Sequence, residues 1–109
     1  MITLTEQSQR LWDWTVGELD KQCARGRLRF ERVSVFQVRI QDTGSNTIDV
    51  VFSPGLNEWT ARRPSGGSAT FKVCESPNGP ELCELDKASG EYSPCPKGNA
   101  VKIVLDLLR

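Results

Sequence analysis

The chain has 109 residues, 38% of them hydrophobic and 26% charged, with 14 basic and 14 acidic side chains and no histidine. That length suits one domain with one core, and no run approaches the roughly 20 apolar residues of a membrane span. Without histidine, the commonest general base and the commonest metal ligand are both excluded.

The opening residues Met1-Ile2-Thr3-Leu4-Thr5-Glu6 contain neither a basic n-region nor an apolar h-region. A cytoplasmic, reducing setting is the expectation, with no membrane partner. The pattern as a whole predicts an α+β fold over a single domain, 1–109. One N-terminal helix, 3–25, packs on an antiparallel sheet of about five strands within 28–108, which is interrupted by a long Gly/Pro-rich loop at 53–68.

The helix is the clearest element. Thr3 followed by Glu6 is a Thr-x-x-Glu capping box, which satisfies orphan amides at a helix start. Leu4, Leu11, Thr15, Leu19 and Cys23 recur at helical spacing, and Trp12 and Val16 widen the stripe. Lys21 and Arg25 suit the C-terminal dipole, and Gly26 suits the left-handed position that ends a helix. Trp14 lies off the stripe, as a rim or exposed aromatic.

From Leu28 the period changes to two. Phe36, Val38 and Ile40 alternate with Gln37, Arg39 and Gln41. After the turn signal Asp42-Thr43-Gly44-Ser45, Ile48, Val50 and Phe52 alternate again, so these segments predict a hairpin. Val33 and Val35 are out of phase, which marks a bulge or a strand covered on both faces. The stretch 53–68 carries Pro54, Gly55, Pro64, Gly66 and Gly67 and predicts a loop with a short strand around Trp59. Residues 69–75 and 82–87 read as strands. Val101, Ile103, Leu105 and Leu107 repeat at period two, and β-branched Val101, Ile103 and Val104 point to a final strand. The expected helix-covered face carries Phe36, Val38, Ile40, Val50, Phe52, Phe71 and Val73.

Four cysteines punctuate the chain at 23, 74, 83 and 95. Cys23 falls on the helix core face as a small apolar residue. A hairpin symmetric about Asn78-Gly79 sets Cys74 opposite Cys83, though Pro77 and Pro80 argue for a wide loop there. A turn centred on Ser89 sets Cys83 opposite Cys95. Cys74 and Cys83 therefore stand either as inert thiols or as a disulfide pair. The symmetric register has a cost, since it places Val73 against Glu84. No Cys-x-x-Cys knuckle occurs, so the spacing is not that of a zinc site, and no metal or other cofactor is expected.

Charge is unevenly placed. Lys21, Arg25, Arg27, Arg29, Arg32 and Arg39 face one acid, Glu31, while Glu75, Glu81, Glu84, Asp86 and Glu91 face Lys87 alone. Such asymmetry marks either solvated faces or interaction faces. Trp59 beside Arg62 and Arg63 has hot-spot composition, and Trp59 is either that contact or a plug under its own loop. No phosphate-binding glycine motif or catalytic pairing occurs. The expected function is a small non-enzymatic module that regulates or inhibits a protein partner. Its contacts are Trp59, Arg62 and Arg63, then Arg27 and Arg29, then the acidic 81–91 region. The alternative is nucleic-acid binding by the Arg25–Arg32 strip with Trp59, Arg62 and Arg63, against which stands a pI of about 6.3.

Overall fold

The computed structural model describes residues 3–108. Helix α1 (Leu4–Gly26) leads into strands β1 (Arg29–Ser34), β2 (Gln37–Gln41) and β3 (Thr47–Ser53). A 3-10 turn (Pro54–Leu56) precedes β4 (Glu58–Arg62), β5 (Ser68–Ser76), β6 (Gly79–Asp86) and β7 (Glu91–Pro94), and helix α2 (Lys97–Asp106) follows. The strands form one antiparallel sheet in the order β1-β2-β3-β4-β5-β6-β7, each beside its neighbour in the chain. The α+β class and the N-terminal helix on an antiparallel sheet agree with the sequence, but the strands number seven rather than five.

Helix α1 begins where the capping box lies. Thr3 Oγ1 accepts a hydrogen bond from the Glu6 amide at 3.1 Å. Ser8, Trp12, Thr15, Val16, Leu19 and Cys23 are buried along its inner face. At the other end the sequence expectation shifts by one residue: Arg27, not Gly26, takes the left-handed conformation (φ 57°), and its amide bonds Cys23 O. Trp14 is a rim residue, with Lys97 Nζ 4.5 Å above its ring.

Pairing register explains the two faces of the sheet. Val38, Val50, Ala61 and Ala69 lie side by side across β2–β5, and Phe52, Trp59 and Phe71 form the next row. All of these are buried beneath the helices, together with Ile40, Ile48 and Val73. Each large aliphatic side chain so buried contributes roughly 1.5–3 kcal/mol. At the centre the Trp12 ring stacks on Phe52 at 5.3 Å, and Trp59 meets Trp12, Phe52 and Phe71 at 6.1–6.2 Å. The residues between these rows point to the opposite face, which no helix covers.

Two segments depart from the sequence reading. In the stretch 53–68 the short strand expected around Trp59 is present as β4, but it is a central strand with Trp59 and Ala61 fully buried, so the stretch is not one long loop. Residues 101–106 are helix α2 and not a strand. Ala100, Val101, Val104 and Leu108 are buried, a one-three-four spacing that only a helix brings onto one face. The period-two reading arose because Ile103, Leu105 and Leu107 also touch the core from the flanks of that helix.

Candidate functional site

In a seven-strand meander the β1–β2, β3–β4 and β5–β6 turns share one end of the sheet. That end carries most of the large apolar side chains left in solvent. The bulge expected near Val33 is present as a register shift between Arg32 and Ser34. It turns Val33 outward, and the two-residue connection Val35-Phe36 follows. Val35 is 72% exposed, Val33 42% and Phe36 40%, while Leu56 on the neighbouring turn is 60% exposed.

This tip is held in place. Trp12 Nε1 donates to Val35 O at 3.1 Å, and the Phe52 amide donates to Phe36 O at 2.8 Å. The Phe36 amide donates to Ser34 Oγ at 3.2 Å, and the Phe36 ring stands edge-on to Phe52 at 6.1 Å. Phe36 was expected on the covered face with Val38 and Ile40. It lies instead at the rim, its ring half in contact with the core, because the hairpin reverses at that residue. The only sign of this surface in the sequence was the misphased pair Val33 and Val35.

The residues expected to make contact are dispersed. Trp59 is fully buried, so its aromatic mass belongs to the core and it is not a surface hot spot. Arg63, just past the end of β4, reaches to the helix side of the sheet and is tied down, donating to Leu107 O at 3.2 Å and to Asn46 Oδ1 at 2.9 Å. Arg62 is exposed on the uncovered face, beside Asp49 of β3. Arg27 sits at the exposed end of α1. Arg29 lies on β1 opposite Gln41, facing away from the helices, whereas Arg32 pairs with Val38 on the helix side. The Arg25–Arg32 strip is therefore spread over a helix end and two sheet faces. Glu81, Glu84, Asp86 and Glu91 of the acidic region lie on β6 and β7, far across the sheet from β1.

The cysteines are free thiols. The β5–β6 turn is tight, with Ser76 opposite Gly79, because Pro77 fits the first turn position with its fixed φ and Gly79 takes φ 104°. Cys74 then faces Glu81, and Cys83 faces Lys72 and Pro94, so neither predicted thiol opposition forms. Cys74 and Cys83 are diagonal neighbours on the uncovered face. Burial and Asp20 push the Cys23 thiol up to about 11. Burial, then the neighbouring Cys74, does the same to Cys83, also to about 11. Burial raises Cys95 as well, with help from Glu84. Raised values keep these three thiols protonated and unreactive near neutral pH. Alkylation of the folded protein should therefore modify Cys74 first, the only one of the four that is not buried. Peptide mapping after a short iodoacetamide pulse checks this, and a faster Cys83 would contradict the burial described.

Among the described residues, no group of three or more Cys, Asp or Glu side chains is placed to hold a metal ion. Nor is any helix among them long and apolar enough to cross a membrane. No protein-family model, curated protein or solved structure matches this chain.

Proposed function

We propose that the protein is a non-enzymatic binding module that docks on a protein partner through its β1–β2 tip and regulates or inhibits it by occupancy. The supporting observation is the exposure of Val33, Val35 and Phe36 on a hairpin anchored by Trp12 and Phe52. Contiguous apolar surface on a soluble domain marks interaction sites. Anchoring matters because a loop already held in its bound shape loses little further entropy on docking. A protein with an apolar pocket is the partner class that fits such a knob, and Leu56 adds to the same end.

The test uses Val35→Glu and Leu56→Glu in the full chain, with Arg27→Ala as a control. Both side chains are mostly in solvent, so the thermal midpoint should stay within about 2 °C of the parent. A stoichiometric protein captured by the parent should bind at least tenfold more weakly to Val35→Glu and normally to Arg27→Ala. Undiminished capture by Val35→Glu would exclude the tip, and loss only with Arg27→Ala would return the contact to the arginines.

A further inference from the structure

The uncovered sheet face carries a row of four charges whose order has a symmetry property. Reading across the first four strands, Glu31 pairs with Arg39, Arg39 with Asp49, and Asp49 with Arg62. All four project away from the helices, since Val38, Ile40, Ile48, Val50 and Ala61, their neighbours along the strands, are buried on the other side. Beyond Arg62 the row ends in neutral Ser68. The signs run minus, plus, minus, plus. Such a sequence is converted into its opposite by reversal about its centre.

We infer that this face is an isologous interface to a second copy of the chain, with a two-fold axis running parallel to the strands between β2 and β3. That operation lays Arg39 against Asp49 of the second copy and Glu31 against its Arg62, and each pairing occurs twice. The perpendicular in-plane axis would set every charge against itself, so the pattern selects one of the two aligned arrangements. Face-to-face sheets cross at about 30°, which offsets the outer pairs by only about 4 Å, within the reach of Glu and Arg. Val51, 41% exposed in the adjoining row, falls against Gln37 of the second copy. A cleft of about 450 Å³ lined by Gln37, Asp49, Val51, Ser53, Thr60 and Arg62 gives those side chains room. Arg29 falls past the end of β4 in the second copy and meets no like charge on that strand. About this axis β1–β4 of one copy lie over β4–β1 of the other, an overlap of about 14 Å across three gaps of roughly 4.8 Å.

Arg39 and Asp49 already form an ion pair at 2.8 Å within the chain. In the pair of chains they become a central four-charge cluster, and such clusters contribute more than isolated surface pairs. The axis also leaves both β1–β2 tips at the same end of the assembly. Self-association is measured without any other partner, so it stands or falls separately from the binding role of the tip.

Sedimentation velocity of the full chain over a concentration series, at low and high salt, tests the inference. The parent should show a monomer–dimer equilibrium that weakens with salt. Arg62→Glu, at an exposed position, should raise the dimer dissociation constant at least tenfold. Glu31→Arg combined with Arg62→Glu keeps the row self-complementary and should restore association. A parent that stays monomeric at every concentration overturns the proposal. So does a dimer indifferent to Arg62→Glu, or a double variant that does not recover.

Discussion

Trp59→Ala should destabilise the protein by about 3–5 kcal/mol, the usual cost of truncating a fully buried large aromatic. The side chain has no solvent exposure and touches the rings of Trp12, Phe52 and Phe71 at once. Neither α1 nor the flanking strands can close the space without breaking that cluster. At roughly 4–8 °C per kcal/mol for a chain of this size, the thermal midpoint should fall by more than about 12 °C. Trp59→Phe is the companion variant. It keeps most of the packing and removes an indole N–H that meets no acceptor among the described residues, so it should cost less than half as much. A midpoint unchanged in Trp59→Ala would place the ring at the surface and revive the hot-spot reading of the Trp59-Arg62-Arg63 cluster.

Val104→Asp should be as damaging, at about 4 kcal/mol or more, because it places a carboxylate with no counter-ion against an apolar core. Val104 is fully buried where α2 meets α1 and the sheet. Lys102→Asp, two residues earlier and exposed, should stay within about 0.5 kcal/mol of the parent. This contrast discriminates between secondary structures. In a strand, residues 102 and 104 share a face and the two substitutions would act alike. In a helix they are about 200° apart, and one is inside while the other is outside. Urea unfolding of both variants reads the difference directly. Equal losses would favour the strand that period-two spacing suggests.

Elements were legible in the sequence where local chemistry and tertiary burial agree. Helix α1 carries its cap, its stripe and its terminal charges in one segment, so each signal supports the others. The β2–β3 hairpin was readable for the same reason, since one face is buried and Asp42 closes the turn by accepting from the Gly44 and Asn46 amides. The sequence was misleading where burial comes from both sides of an element. In α2 the flanking Ile103, Leu105 and Leu107 share the core with Val101 and Val104, and that near-continuous apolar run hides its period. In the 53–68 stretch, glycine and proline lie at the two ends of β4, and the strand between them is only five residues long. Strand pairing set the rest. Whether Cys74 faces Cys83 or Glu81 depends on a turn two residues wide, and Pro77 reads equally well as a breaker or as the first residue of that turn.

The candidate site was harder to read for a related reason. Hot-spot composition favours tryptophan and arginine, but composition does not report which way a strand points its side chains. Trp59 and Arg62 are three residues apart and therefore lie on opposite faces of β4, one in the core and one in solvent. The tip at Val35-Phe36 resembles an ordinary strand segment in the sequence. It becomes a surface only because the hairpin reverses there.

The meander order also bears on how the molecule assembles. Every strand partner is the next strand along, so the sheet grows by adding one hairpin at a time, each closing only a short loop. Such closures are microsecond events, and chains rich in local pairings fold faster than barrels or sandwiches of equal size. Helix α1 is the exception. Trp12 packs on Phe52 and Trp59, so the first element made must wait for strands forty residues later before its apolar face is covered. That face cannot be fully covered before β4 has joined β3, because Trp12 takes its ring partners from both strands.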